Sequence, residues 1–420
     1  MLNEHRPAGV VIIGAGHAGI TAAALLRQQG WEASITVVGE HLHLPYHRPP
    51  LSKGYLSSTN GEPLALRPSE FYSSERIELV RGRRVCSIHP DRHEIRLADG
   101  SSLPYGALIL ATGSHPRRLN LPGAELDGVA TLHTLEDALG LRRLIGGGGG
   151  TKIAIVGAGY VGLEVAAAGL EHGVDVTVIE RADRALGRVA SPVLSSWLSR
   201  YHRDRGTQLL TDVDLEAIVP NDCGGVRALR LADKTEIECD GALIGVGVVA
   251  CDELARCAGI ACDTAGVIVD SFARTSAPDV YAIGDVSSRP VPPYSGRYRL
   301  ESIPSATEQA GQATAAILGR NAPKPETPWF WSDQFDVKIK IAGLLVDSKK
   351  TIVRGDPKED RFAVFHLTDD NIVRAIETVN SASEFMAGKK WIAQNAQLDG
   401  ERISDLGVPL RNLVIEPAVP

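Results

Sequence analysis
The sequence predicts an α/β protein made of two similar parallel-sheet units, followed by a small α+β domain near its C-terminal end. Three observations carry that prediction. A glycine-rich turn, Gly14-Ala-Gly-His-Ala-Gly19, follows the apolar run Val10-Val-Ile-Ile13, and a second, Gly157-Ala-Gly-Tyr-Val-Gly162, follows Ile153-Ala-Ile-Val156. Each turn opens a helical pattern that leads to another apolar run, Ile35-Thr-Val-Val38 and Val176-Thr-Val-Ile179. The final stretch alternates in Phe335-Asp-Val-Lys-Ile-Lys-Ile341 and Arg361-Phe-Ala-Val-Phe-His-Leu367, then turns helical over 382–397, the pattern of a small antiparallel sheet with helices on one side.

Taken in chain order, residues 1–116 read as strand, helix and strand, then a long loop and a strand-rich stretch. In it, Ala98-Asp-Gly100 sits between His93-Glu-Ile-Arg-Leu97 and Ser102-Leu-Pro-Tyr105 as a hairpin signal. Leu108-Ile-Leu-Ala-Thr-Gly113 closes this part as a buried strand entering a glycine turn. Residues 117–245 form the second unit, and the glycine run 146–150 ahead of its first strand is a flexible loop rather than a phosphate cradle. Residues 246–326 return to a short helix, the strand Val280-Tyr-Ala-Ile-Gly-Asp285 and a helix from about Ser305 to Leu318. Pro323, Pro325 and Pro328 mark a linker into the last domain, 327–420.

At 420 residues, two or three domains are expected. A hydrophobic content of 44% and a charged content of 23% belong to a globular protein, and a net charge of −7 argues against nucleic acid as a main partner. No apolar run approaches the roughly 20 residues that span a bilayer. Met1-Leu-Asn-Glu-His-Arg-Pro7 does not resemble a signal peptide, so a cytoplasmic location is expected, with no membrane contact. The six cysteines (86, 223, 239, 251, 257, 262) show no CxxC pair or zinc spacing and read as ordinary thiols, with no metal site. No heptad or long apolar helix suggests an oligomer, and a monomer is expected.

A lone GxGxxG is a weak signal, but strand–turn–helix–strand context on both copies points to two Rossmann-like dinucleotide-binding domains. The first glycine makes the tight turn, the second admits a pyrophosphate, and the third lets helix and strand pack closely. The anion then sits at the positive helix end. Glu40 closes the second strand of the first unit, where an acid accepts hydrogen bonds from ribose hydroxyls; the alternative is a solvated strand-end acid. Glu180 holds the matching place in the second unit and favours NADH over NADPH, while Arg181 and Arg184 nearby pull the other way.

Val11-Ile-Ile-Gly-Ala-Gly-His-Ala-Gly19, Arg48-Pro-Pro-Leu-Ser-Lys53, Ala111-Thr-Gly113, Gly157-Ala-Gly-Tyr-Val-Gly-Leu-Glu164, Ala282-Ile-Gly-Asp285 and Pro328-Trp-Phe-Trp-Ser-Asp-Gln334 occur in that order. With these motifs the chain resembles the oxygenase-coupled NADH-dependent ferredoxin reductases from end to end. The resemblance implies a glutathione-reductase-like arrangement: an FAD domain (1–116 and 246–326) interrupted by an NAD domain (117–245), then an interface domain (327–420). For FAD it implies contacts from Gly14, Ala15, Gly16, Gly19, Glu40, Arg48, Lys53, Val85, Asp285, Ile303 and Trp331. His133 stands where the family usually has an arginine. For NADH it implies Gly157, Gly159, Val161, Gly162, Glu164, Glu180, Arg188 and Gly245. Lys53, paired with Glu164, would be the cation beside the flavin N5/O4 edge; otherwise it is a surface lysine. Tyr160 would lie over the flavin face until nicotinamide arrives, or simply pack at the helix start.

The segment Tyr46-His-Arg-Pro-Pro-Leu-Ser-Lys53 has no cysteine where disulfide reductases of the wider superfamily carry a redox pair. Electrons are therefore expected to leave the flavin directly. NADH gives a hydride, and the flavin passes electrons singly. The resemblance implies a small [2Fe–2S] ferredoxin as acceptor, serving a cytochrome P450 or another monooxygenase. Arg297, Arg299, Lys338 and Lys340 are candidate docking cations for an acidic ferredoxin, though the two lysines also suit edge protection of a strand. Trp331 either shortens the electron path or is a core aromatic. Other acceptors (rubredoxin, a nitrite reductase partner, oxygen, monodehydroascorbate) and a non-enzymatic, apoptosis-inducing-factor-like binding protein are the competing readings.

Overall fold
The computed structural model describes residues 9–57, 63–147 and 149–415, so Gly148 of the glycine run lies outside the described residues. The chain divides into two compact units. One holds the described residues of 1–47, 64–115 and 249–328, and the other those of 48–63, 116–248 and 329–420.

In the first unit a five-stranded parallel sheet runs in the order Val280–Ala282, Ala107–Leu110, Val10–Ile13, Ile35–Gly39, Ile77–Arg81. Val10–Ile13 is central and apolar at every position because both of its faces are buried. Val10 and Ile12 join the cluster holding Ala22, Ala23, Ala306, Ala310 and Ala313, where small side chains let the helices His17–Gln28 and Ile303–Ile317 pack closely. Val11 and Ile13 belong instead with Val85, Ile88, Ile95 and Leu97 of an antiparallel sheet formed by Val85–His89, Glu94–Leu97 and Ser102–Pro104. The expected hairpin is present, but its first strand starts at Glu94, since His93 has φ +49° and cannot extend it.

The second unit repeats the plan. Its parallel sheet runs Gln208–Leu210, Asp175–Ile179, Lys152–Val156, Gly241–Ile244, Val129–Ala130. Ile153 and Ile155 face the core that includes the helices Tyr160–Glu171 and Pro192–Asp204, whereas Ala154 and Val156 join Ile218, Val226 and Leu229 of an antiparallel three-stranded sheet.

The same unit contains an antiparallel sheet ordered Trp329–Gln334, Val337–Gly343, Val373–Val379, Arg361–Leu367, Lys350–Asp356. The helix Ala382–Ala393 covers one face, with Gly388 against Ile376. Val337, Ile339, Ile341, Phe362 and Val364 on the other face join the core of the Tyr160 and Pro192 helices. Both faces are thus covered, more than the expected one-sided cover. That is why Phe362–Leu367 is buried at every position although its sequence suggested alternation. The strand expected from Phe335 begins two residues later. Phe335 (φ +50°) and Asp336 form the hairpin turn, with Phe335 against His202 and Asp336 accepting a hydrogen bond from Tyr201. The last helix stops at Ala393, with Asn395 in the left-handed region (φ +49°) just beyond it and Gln397 bridging to Ile372.

All six cysteines are free. Among the described residues no helix is long and apolar enough to cross a membrane.

Phe362 is 1% exposed and meets the Trp197 ring edge-on at 5.5 Å. Phe362→Ala is expected to destabilise the protein by about 3–5 kcal/mol, seen as a lower denaturation midpoint. The same truncation at exposed Leu42 (75%) leaves the midpoint in place.

Candidate functional site
Each fingerprint places a helix N-terminus above its sheet. Gly14 (φ +112°) and Gly157 (φ +103°) make the turns, and a Cβ there would come 2.1 Å from the Ala111 carbonyl oxygen and 2.6 Å from that of Gly245. At the third glycines, Gly19 and Gly162, a Cβ would lie 2.0 and 2.3 Å from the oxygens of Gly14 and Gly157. The middle glycines differ. A Cβ at Gly16 meets nothing within 4 Å, and one at Gly159 meets only the Gly245 oxygen, at 3.9 Å.

These two glycines are also the N-caps, and neither helix has a capping side chain or an acid in its first turn. Three other helices do have side-chain caps, from Thr134, Ser191 and Ser302. Free N–H donors beside open space fit a pyrophosphate, so both helix ends fit the dinucleotides that the sequence implies. Ala15 sits in the first turn and Val161, 43% exposed, in the first turn of the second helix.

Several other expected residues lie in the first unit. Glu40 is 67% exposed, its carboxylate 4.0 Å from Arg84 Nε. Val85 is buried at the start of its strand. Asp285 lies in the single turn Gly284–Val286, and the Ser114 hydroxyl donates to its Oδ2 at 3.1 Å. Ile303 opens the Ile303–Ile317 helix, slightly ahead of the expected Ser305, because Ser302 caps it by accepting from the Ser305 N–H. Arg297 donates to the carbonyls of Val269 and Ser288, and Arg299 pairs with Glu301 at 2.7 Å. His17, inside the first fingerprint, was not singled out by the sequence reading. Its Nε2 is 3.3 Å from Thr307 Oγ1, and burial, followed by His47 and Arg67, holds its pKa below the ordinary value.

In the second unit Glu180 is anchored. Its Oε2 accepts from the Ala158 N–H and its Oε1 from the Ala182 N–H, both at 2.8 Å. Each oxygen keeps a lone pair for a ribose hydroxyl. Arg184 is committed to the Ala190 and Gly187 carbonyls, while Arg181 and Arg188 are exposed. Arg188 Nη2 would lie 3.2 Å from a Cβ at Gly247.

Lys53 follows the single turn Pro49–Ser52, whose Leu51 is buried, and precedes Leu56, also buried in the core with Leu163. Its ammonium meets Glu164 Oε1 at 2.8 Å; the side chains are 19% and 4% exposed. The Ser52 hydroxyl donates to Glu164 Oε2, and the Ser332 hydroxyl donates to Oε1 at 2.5 Å. The sequence reading found the ion pair but not the serines. The signal was there: in Trp329–Gln334 the polar Ser332 and Gln334 alternate onto the buried side, at 0% and 1% exposure.

Arg48 donates from Nη1 to His133 Nε2, so the residue that departs from the family pattern is the one Arg48 contacts. Tyr160 packs edge-on against Phe330, 4.5 Å between centroids. Its hydroxyl is buried without a hydrogen-bond partner among the described residues. Burial, then the Glu377 and Glu164 carboxylates, push this phenol well above its ordinary pKa. Trp331 is half-buried beside Trp329, and the register sets Trp331 opposite Lys340 and Asp333 opposite exposed Lys338.

With this geometry in view, the comparisons are specific. Residues 8–310 match the family model described as pyridine nucleotide-disulphide oxidoreductase, and residues 329–414 match the model described as reductase C-terminal. The chain is 45% identical to the probable ferredoxin reductase CtmF of Castellaniella defragrans, over 97% of this chain and 98% of that protein. It is 36% identical to the ferredoxin–NAD(+) reductase component of the p-cumate 2,3-dioxygenase system of Pseudomonas putida, over 97% and 98%. The crystal structure of the covalent putidaredoxin reductase–putidaredoxin complex superimposes with a TM-score of 0.93 at 35% identity, over 97% of this chain and 98% of that one. The chain belongs to the pyridine nucleotide-disulphide oxidoreductase family and, within it, to the ferredoxin reductases of which putidaredoxin reductase is one.

Proposed function
We propose that this chain is an NADH-dependent, FAD-containing ferredoxin reductase that passes electrons one at a time to a [2Fe–2S] ferredoxin serving a cytochrome P450 or another oxygenase. The observation that carries the reading is the pair of uncapped fingerprint helix ends in a chain with no cysteine near Lys53. One relative belongs to a dioxygenase system, and a solved reductase of the same fold is joined to putidaredoxin. The domain reading goes with it: FAD on 1–116 and 246–326, NAD on 117–245, and an interface domain on 327–420. Six free thiols suit a reducing compartment, and the chain is read as a cytoplasmic monomer.

Bound FAD supplies the chemistry, accepting a hydride from NADH and returning single electrons. The protein's part is positioning and electrostatics, with no proton-transferring side chain required. In this reading Gly14, Ala15, Gly16 and Gly19 hold the FAD pyrophosphate end, with Glu40 on the ribose and Val85, Asp285 and Ile303 on the remaining contacts. Arg48 and His133 act as a joined donor pair. Gly157, Gly159, Val161, Gly162 and Gly245 frame the NADH pyrophosphate, Glu180 takes the ribose hydroxyls, and Arg188 assists. Lys53, held by Glu164, supplies a fixed positive charge for the flavin, and Tyr160 shields its face until nicotinamide binds. The edge-on contact with Phe330 supports a Tyr160 ring held at the helix start.

For ferredoxin docking, Trp331, Lys338 and Lys340 share one strand-pair face. Arg297 and Arg299 are the weaker candidates because contacts within their own unit already engage their guanidinium groups.

NADH-reduced protein mixed with a [2Fe–2S] ferredoxin in a stopped-flow cell is expected to reoxidise faster than with rubredoxin, monodehydroascorbate or oxygen. The Lys338→Glu, Lys340→Glu double variant should raise the KM for ferredoxin about tenfold without changing reduction by NADH. Faster turnover with any other acceptor would reassign the protein. Lys53→Ala should lower the flavin potential and slow flavin reduction by NADH by about tenfold, equivalent to about 1.4 kcal/mol in the barrier. Wild-type reduction kinetics would remove Lys53 from the site. Glu180→Ala should raise the KM for NADH by about tenfold with kcat retained, the mark of lost uniform binding, and should narrow the preference over NADPH. An unchanged ratio of the two KM values would dismiss Glu180 as the ribose acceptor.

A further inference from the structure
We propose that Ser332, Gln334 and His202, with Thr207 at the far end, form a one-directional hydrogen-bond chain that fixes Glu164 and, through it, the Lys53 ammonium. The chain's effect on the reaction rests on the reading of Lys53 given above; its existence as a positioning device does not.

The links are short and lie in the protein interior. His202 Nδ1 is 3.0 Å from Thr207 Oγ1, and His202 Nε2 is 2.8 Å from Gln334 Oε1. Gln334 Nε2 donates to Ser332 Oγ at 3.0 Å, and the Ser332 hydroxyl donates to Glu164 Oε1 at 2.5 Å. His202 and Ser332 are 0% exposed, Gln334 1% and Thr207 3%. Polar groups buried this deeply on a side of the strand that otherwise faces apolar core are costly unless each is satisfied.

Chemistry fixes the direction. A carboxylate only accepts, so Ser332 must spend its single proton on Glu164 and can only accept from its other neighbour. The amide NH2 of Gln334 therefore faces Ser332, and its carbonyl faces His202. His202 must then carry its proton on Nε2. Burial, the largest influence, pushes the His202 pKa down to about 4, opposed by the Gln334 bond and aided by Arg205, so the ring is neutral and Nδ1 accepts from Thr207. Every donor in the line points toward the carboxylate, and such aligned bonds polarise one another. Ser52 and Lys53 complete the donors around Glu164. Three separate segments, the 192–204 helix, the turn at Thr207 and the 329–334 strand, thus converge on one ammonium group through one anion. A scaffold needing only to join these segments could do so with apolar contacts, which the neighbouring Phe330, Ile339 and Leu163 already provide.

The test uses the FAD-loaded protein and two readouts. In 15N spectra, wild-type His202 should be the neutral Nε2–H tautomer at pH 7, and the Lys53 Nζ–H group should exchange slowly. Ser332→Ala should speed that exchange and slow flavin reduction by NADH, each by about tenfold, while Ser332→Thr, which keeps the hydroxyl, restores both. Added to Lys53→Ala, Ser332→Ala should bring no further loss of rate. An imidazolium or Nδ1–H tautomer at pH 7, unchanged Lys53 exchange in Ser332→Ala, or a full second loss of rate in the double variant would each overturn the proposal. Faster Lys53 exchange in Ser332→Ala, together with flavin reduction at the wild-type rate in that variant and in Lys53→Ala, would leave the chain standing and overturn the reading of Lys53 instead.

Discussion

A carboxylate taken out of water must be met by donors on each oxygen, and Glu164 shows how far that requirement reaches. It lies on the first turns of the second fingerprint helix, 5% exposed, so that helix itself carries the anion. Lys53 and Ser52 answer it from the Pro49–Ser52 turn and Ser332 from the 329–334 strand. Leu51 and Leu56 bury the apolar flanks of the lysine segment. The inward face of the 329–343 hairpin is then half polar and half apolar by necessity: Ser332 and Gln334 serve the anion while Val337, Ile339 and Ile341 fill the core.

The two parallel sheets solve one packing problem twice. In each, odd and even positions of the central strand serve different neighbours, helices on one face and an antiparallel three-stranded sheet on the other. A strand used on both faces has to be apolar throughout, so Val10-Val-Ile-Ile13 and Ile153-Ala-Ile-Val156 look alike without any need for shared function. The acids that close the neighbouring strands, Ile35–Gly39 and Asp175–Ile179, differ in setting. Glu180 is tied by two amides of its own unit, while among the described residues Glu40 has a distant arginine at 4.0 Å.

Much of this was legible in the residues because it follows from local rules. Glycine at 14 and 157 answers a positive φ, and glycine at 19 and 162 answers backbone closeness, so the fingerprints announced their own geometry. The 94–97 and 102–104 hairpin was equally visible in Ala98-Asp-Gly100. What escaped depends on partners distant in sequence. Arg361–Leu367 looked one-sided because the helices that cover its second face, Tyr160–Glu171 and Pro192–Asp204, lie more than 150 residues earlier by numbering. Phe335 looked like strand because its aromatic ring suits one, yet its place is a turn braced by His202 and Tyr201. Ser332, Gln334 and His202 are ordinary residues in ordinary positions until a buried carboxylate is placed among them, and no spacing rule brings residues 164, 202 and 332 together.

The bare N-termini of the two fingerprint helices carry one more consequence. Elsewhere in the chain Thr134, Ser191 and Ser302 close their helices with their own oxygens, while Gly16 and Gly159 bring no side-chain oxygen to theirs. A dinucleotide at such a place is a missing piece of secondary structure as well as a reagent, and its tight retention adds directly to the folding equilibrium.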